Sequence, residues 1–247
     1  MIRFAAAVLL LAVGGCSGLL RSTSPLEQVY FLRAKFPSAA EPAGAVGAAG
    51  AVGTTAAAGA GTAGAHDVAN GAGMASVHVG RPVAGPGLDS SHIVLVESNR
   101  RMSYYTASRW PAALPEVVED LASQALRASG SWSNVQSSDS PFPSDYILQI
   151  RIRRFEADYT SNAAGGAGAP ETHVVLDCTL GRRSGRDVVG TFTAEGSSTA
   201  AANRLSDVVA AFEDATNMAL SSLAAHAADA VHAGTQNVDN PVPSITR

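Results

Sequence analysis

In "SDYILQIRIRRF", Ser144 to Phe155, apolar and polar side chains alternate before the pattern slips. Tyr146, Leu148, Ile150 and Ile152 fall on one face of an extended chain, and Gln149, Arg151 and Arg153 on the other. That alternation is the signature of a half-buried antiparallel strand rather than of a parallel strand buried on both faces. Phe155 breaks it, standing three residues past Ile152. A bulge near Arg153-Arg154 would return its ring to the core side. A sheet with one apolar face then needs a cover.

Two helices supply that cover. Leu114, Val117, Val118, Leu121, Ala125 and Leu126 recur at helical spacing, with Pro115 in the first turn and Gly130 just past the end. A closing helix carries Leu205, Val208, Val209, Phe212, Thr216, Ala219, Leu220 and Leu223 on one stripe, and is expected to run to about His226 or a little beyond. Around them "ASVHVGRP", "SHIVLVES", "MSYYT", "SWSNVQ", "HVVLDCTL" and "DVVGTFTAE" read as strands. Asn99-Arg100-Arg101 and Gly181 to Arg186 are hairpin connections, and "VAGPGLDS" is a turn-rich link. The order predicts an α+β domain: an antiparallel-rich β-sheet with two α-helices packed on one face. The other face is left to solvent or to a partner.

The chain has a distinct beginning. After Met1-Ile2-Arg3, an apolar run from Phe4 to Val13 gives the tripartite look of a secretory leader, residues 1–15. It is shorter than the about 20 residues that cross a bilayer. In "AVGGCSG", residues 12 to 18, Val13, Gly14, Gly15 and Cys16 resemble the lipobox of bacterial lipoproteins, whose cysteine is acylated and becomes the new N-terminus. The alternative is a cysteine that stands by chance near a plain cleavage site. By the sorting rule known for such lipoproteins an aspartate after the cysteine favours the inner membrane. Ser17 stands there, so the resemblance implies the periplasmic face of the outer membrane. A fully acylated cysteine would anchor stably, since each buried methylene contributes about 0.8 kcal/mol and more than one chain is attached.

Residues 16–36 are read as the lipidated N-terminus and a first strand, "VYFLRA" from Val29 to Ala34. Residues 37–73 are almost wholly Ala, Gly, Thr, Val and Pro, and read as a disordered linker spanning about 30–35 Å. The first strand either returns across that linker to pair with the domain, which is the favoured reading, or belongs to the tether. The main domain is placed at 74–232, and 233–247, with Asn240-Pro241 and Pro243, as a disordered tail.

Charge and composition narrow the function. The chain of 247 residues has 17 basic and 21 acidic side chains, a net charge of −4. Without the leader's Arg3 the basic count is 16 against 21, a net charge of −5, which argues against nucleic acid as a partner. With Cys16 assigned to lipid, Cys178 has no partner in the chain and falls in register with Val174, Leu176 and Leu180 as a small core residue. No nucleophile elbow, P-loop, dinucleotide fingerprint or metalloprotease motif occurs, so no catalytic residue, metal ligand or cofactor is assigned. His226, Asp229 and His232 are spaced so that the two histidines diverge around a helix.

Three basic clusters remain: Arg100-Arg101, Arg151/Arg153/Arg154 and Arg182-Arg183/Arg186. They read as solubilising charge, with a lipid-headgroup or partner-protein contact as the alternative. In "SRWPA" Trp110 either staples the start of the helix to the core, the favoured reading, or anchors a partner. Arg109, Trp110, Arg151 and Arg153 are therefore the candidate contact residues.

Together these pieces resemble the ABC-type transport auxiliary lipoproteins, the PqiC-like (YmbA-like) group that accompanies MCE-domain lipid transporters. The resemblance rests on the lipobox, "YFL", "VHVGRPV", "GLDSSHIVL", "MSYY", "RWPAALP", "DYILQIRIRRFEADY" with Phe155, Glu156 and Tyr159, and "VVAAF" from Val208 to Phe212. The insert from Pro37 to Gly73 and the loop from Thr160 to Pro170 are longer than is usual for the family. The resemblance implies a non-enzymatic component of an envelope lipid-transport system. Its implied partners are an MCE-domain transporter, the membrane through acylated Cys16, and a transported phospholipid. A homo-oligomer is compatible with the sequence, although no heptad or apolar edge patch requires one. The competing class is a structural or assembly lipoprotein of another envelope complex.

Overall fold

The computed structural model describes residues 27–33, 35–36, 74–160 and 168–239. The leader, Cys16, the linker at 37–73 and the tail from 240 lie outside them. The described chain forms strands β1 (Gln28–Val29), β2 (Ser76–Val79), β3 (Val83–Ala84), β4 (His92–Val96) and β5 (Met102–Arg109), then helix α1 (Leu114–Ala128). Strands β6 (Asn134–Gln136), β7 (Tyr146–Asp158), β8 (Glu171–Arg182) and β9 (Asp187–Thr199) follow, and helix α2 (Leu205–Asp239) closes the series.

Strand β7 is the axis of the sheet. One edge pairs antiparallel with β8 from Tyr146↔Arg182 to Asp158↔Glu171, and β8 pairs antiparallel with β9 along its whole length. The other edge of β7 is shared by three short strands, all parallel to it: β2 at Tyr146–Leu148, β3 at Arg151–Ile152 and β4 at Ala157–Asp158. Outside these, β6 adds parallel to β2, β5 antiparallel to β4, and β1 parallel to β5. The sheet is thus mixed. The long ladders are antiparallel as expected, but five of the eight pairings among the described residues are parallel. Alternation in "YILQIRI" reports that one face is buried; it carries no information on the direction of the neighbouring strand.

The expected bulge is present: the β7–β8 register shifts between Ile152 and Arg154, which leaves Arg153 as the extra residue. Phe155 is consequently 1 % exposed. Its ring stacks on Phe212 of α2 with centroids 5.2 Å apart, and Trp110 meets both rings edge-on, at 6.0 and 5.5 Å. Such pairs add about 0.5–1.5 kcal/mol beyond their area burial. Helix α1 begins with Pro115 in its first turn and ends before Gly130, whose φ of 67° is readily adopted only by glycine. It buries Leu114, Val117, Val118, Leu121, Ala122, Ala125 and Leu126, the stripe expected from spacing.

Three local readings need correction. Val83–Ala84, within the turn-rich link, form β3, and the flanking Gly80 and Gly85 donate N–H bonds to the carbonyls of Leu148 and Ile152, each at 2.9 Å. The first strand does return to the domain, but only Gln28–Val29 are paired; from Arg33 the chain runs along α2, with the Arg33 and Lys35 N–H groups donating to Glu213 Oε1 and Asn217 Oδ1. Helix α2 continues to Asp239, past the expected end and into the stretch from 233 read as a disordered tail. Gly234 lies inside it because a Cβ there would come 3.0 Å from Val189 Cγ1, so the glycine allows close approach rather than ending the helix.

Helix α2 comes close to the sheet at Gly196, where a Cβ would overlap the Ala215 carbonyl oxygen and stand 2.9 Å from the Ala219 nitrogen. Backbone cannot yield as a flexible side chain can. Gly196→Ala is therefore expected to destabilise by about 1–3 kcal/mol, whereas Thr191→Ala on the exposed face should stay within about 0.5 kcal/mol. Equal urea midpoints for the two variants would show that α2 does not rest on Gly196.

Candidate functional site

Both helices cover one face of the sheet, so the outward residues of β7, β8 and β9 form an open surface. At the Tyr146 end of β7, Ile147, Gln149 and Arg151 alternate with the buried Tyr146, Leu148 and Ile150 and point away from the core. Asp177 and Thr179 stand beside them on β8. The β8–β9 hairpin closes at Arg182↔Asp187 and carries Arg183 and Arg186 at its tip, Arg186 with φ 55°. The result is an open groove made of two overlapping depressions of about 480 and 540 Å³. Ile147, Gln149, Thr179 and Arg183 line both; Arg186 and Val188 stand at one end, His78, Val83 and Arg151 at the other.

An Asp–Ser clip holds the groove's lower end. Asp145 Oδ2 accepts the Ser76 N–H at 2.8 Å and its hydroxyl at 2.7 Å, and the Asp145 N–H donates back to Ser76 Oγ at 3.0 Å. The Asp145 carbonyl accepts the Arg183 N–H at 2.8 Å. The Ser76 N–H, then its hydroxyl, hold the Asp145 carboxyl below the usual aspartate range, against a smaller upward push from burial.

The candidate contact residues separate on inspection. Trp110 is 1 % exposed and belongs to the core, so it is not available to a partner; the ring fills the space between Phe155 and Phe212. Arg109 lies on the opposite side of the sheet from the groove strands, beside β1, with Nε 3.0 Å from Glu27 Oε2 in an ion pair that falls short of hydrogen-bond geometry. Arg153 is tied to Asp177 at 3.5 Å and Glu195 at 3.3 Å. Arg151 alone of the four lies in the groove with its guanidinium unpaired among the described residues. Spacing in the sequence missed Ile147 and Val188, which supply the groove's apolar surface.

The groups that could carry chemistry are engaged otherwise. Cys178 is fully buried, and burial, helped by the neighbouring Asp177 charge, pushes its thiol up to about 12. Burial, and then the bond to Tyr159, push the Tyr105 phenol far up; its hydroxyl donates to that of Tyr159 at 2.8 Å, which donates to Asn203 Oδ1 at 2.8 Å. His226 bonds Ser222 and lies against the Phe192 ring. Among the described residues no three of His, Cys, Asp and Glu are grouped to hold a metal ion, and no helix is long and apolar enough to cross a membrane.

The fold defines an α+β domain with one sheet face covered by helices and the other open. A family model, the ABC-type transport auxiliary lipoprotein component, matches residues 60–228, and the chain belongs to that family. No curated protein matches it. Among solved structures it is similar to protein XCC0632 from Xanthomonas campestris, at 24 % identity and a TM-score of 0.60, covering 66 % of this chain and 89 % of that one. An uncharacterized protein is similar at 11 % identity and a TM-score of 0.50, over 62 % and 91 % of the two chains. PelC from Paraburkholderia phytofirmans, solved as a dodecamer, follows at 18 % identity and a TM-score of 0.33, over 61 % and 86 %. The first two likenesses show the fold alone.

The Asp145 clip predicts a pH signature. A carboxyl whose folded pKa lies below its unfolded value adds stability above the unfolded pKa, and loses it as pH falls through the folded pKa. Asp145→Asn should therefore be less stable than wild type at neutral pH, and the gap should close below about pH 4. Thermal melts across that range test this; a gap constant with pH would show that the carboxylate charge is not what holds the clip.

Proposed function

We propose that this protein is a periplasmic lipoprotein anchored to the outer membrane through Cys16, where it docks an MCE-domain transporter as the auxiliary component of an intermembrane lipid-transport system. The observation that carries this reading is the family match over residues 60–228, an auxiliary lipoprotein of ABC-type transport. The lipobox-like Val13-Gly14-Gly15-Cys16 supports the anchor, and Ser17 supports the outer membrane. The role is association rather than catalysis. In favour of that, Cys178 is buried, and the Tyr105 and Tyr159 hydroxyls are engaged in a structural relay that joins β5 to the segment before α2. The cargo in this reading is a phospholipid or another hydrophobic molecule, handed between membranes by the transporter.

Two experiments test the proposal. Cys16→Ala should move the protein from the membrane to the soluble periplasmic fraction with an unchanged melting curve; continued membrane association would refute the anchor. Crosslinking the lipidated protein in its native envelope, followed by identification of bound proteins and extracted lipids, should recover an MCE-domain protein. Recovery of secretion or assembly subunits instead would assign it to another envelope complex, sharing the fold but not the role.

A further inference from the structure

We infer that the open-face groove between β7 and the β8–β9 hairpin docks an acidic segment of a partner protein, an inference that rests on the docking role proposed above. The chain carries a net charge of −4, yet three guanidinium groups at this one groove, those of Arg151, Arg183 and Arg186, have no carboxylate partner among the described residues. Many basic side chains elsewhere are neutralised locally, Arg101 by Glu97, Arg153 by Asp177 and Glu195, and Arg154 by Glu156 and Asp158. Arg33, Arg100 and Arg127 also lack a carboxylate partner among the described residues, but they stand singly on separate segments, and Arg127 donates to the Val135 carbonyl. Guanidinium groups bind carboxylates in planar, bidentate fashion, and free ones near an apolar surface are placed to recognise acidic side chains.

The rest of the lining selects the class of occupant. Val188 and Val83 are 66 % and 55 % exposed, so apolar area is available for burial. Between them lie Gln149 and Thr179, which can bond a peptide backbone and would leave their polar atoms unsatisfied against an acyl chain. A peptide segment with carboxylates and an apolar residue or two fits this lining; a lipid tail does not.

Position points the same way. The described chain begins at β1, which reaches β7 through β5 and β4, and β4 pairs at Ala157 and Asp158. Ile147 lies ten residues away along β7, about 33 Å at about 3.3 Å per residue. With the anchor at Cys16, 11 residues before Glu27, the groove occupies the half of the molecule opposite the incoming tether. A partner that approaches from across the periplasm meets it there.

The test places a photoreactive amino acid at Gln149, at Val188 and, as a control, at Met218, which is 47 % exposed on α2, each in the full lipidated chain in native envelopes. Mass spectrometry then identifies the captured peptide. Gln149 and Val188 should capture an MCE-domain protein through a segment carrying several Asp or Glu residues, and Met218 should not. Joint Arg151→Glu, Arg183→Glu and Arg186→Glu substitution should cut the yield roughly tenfold or more, and the corresponding lysine variants should retain most of it. An unchanged melting curve of the triple variant separates this effect from misfolding.

Capture of the MCE-domain protein from Met218 alone would overturn the groove and leave the docking role standing. A lipid adduct, or a neutral or basic peptide, at Gln149 and Val188 would overturn the acidic-segment assignment. An acidic segment of an unrelated envelope protein at those positions would uphold the groove and overturn the transporter reading.

Discussion

The stacking of Phe155 on Phe212, with Trp110 edge-on to both, joins the three parts of the molecule: the central strand, the closing helix, and the end of β5 from which α1 departs. Phe155 reaches that joint only through the bulge between Ile152 and Arg154. In an unbroken strand, period 2 would turn Arg154 toward the core and Phe155 toward water. Burying an unpaired guanidinium costs several kcal/mol, whereas a locally disrupted ladder forfeits about 0.5–1.5 kcal/mol for a hydrogen bond. The bulge is the arrangement of lower free energy, and the aromatic joint is its result.

The same bulge divides the outward face of β7. Beyond it Arg154, Glu156 and Asp158 share that face and neutralise one another, with Arg154 Nε 2.6 Å from Glu156 Oε1 and Nη2 3.1 Å from Asp158 Oδ2. Burial there pushes the Asp158 carboxyl up, but the hydrogen bonds from Thr160 and the charges of Arg154 and His173 outweigh it and hold it below its ordinary value. At the bulge itself Arg153 is paired with Asp177 and Glu195, and before it Arg151 has no carboxylate partner among the described residues. One backbone irregularity thus fixes both which residues beyond it face the core and where, on the outward face, paired charge gives way to unpaired.

Periodicity made α1, the bulge and the burial of Cys178 legible in the sequence, because each depends on which face a residue occupies. It could not show strand direction, so the parallel neighbours of β7 were missed. It could not show β3 either, since Val83–Ala84 are too short to express a period and are held by N–H bonds from Gly80 and Gly85 to a strand far along the chain. Spacing predicts an end to α2 soon after His226, because the stretch that follows lacks large apolar residues at helical spacing and contains Gly234, and a glycine placed for close packing looks the same in sequence as one placed for a cap. The division of arginines into paired and free was equally hidden: Arg153 finds Glu195, 42 positions away, through β8. Trp110 was ambiguous for the opposite reason, since a tryptophan before a proline suits a core or an interface until its neighbours are known.

The groove's construction also limits how it can recognise anything. Along Tyr146 to Ile152 the backbone of β7 is already engaged by β8 on one edge and by β2 and β3 on the other, so β7 itself offers no free edge for strand addition. Over β7, recognition therefore rests on side chains above the sheet: guanidinium groups without a carboxylate partner among the described residues, two amide- and hydroxyl-bearing residues, and exposed valines. Contacts of that kind set orientation and association rate more than affinity, and salt screens them over about 10 Å. A surface of this type favours a partner that engages and releases. That behaviour suits an auxiliary component of a transport system.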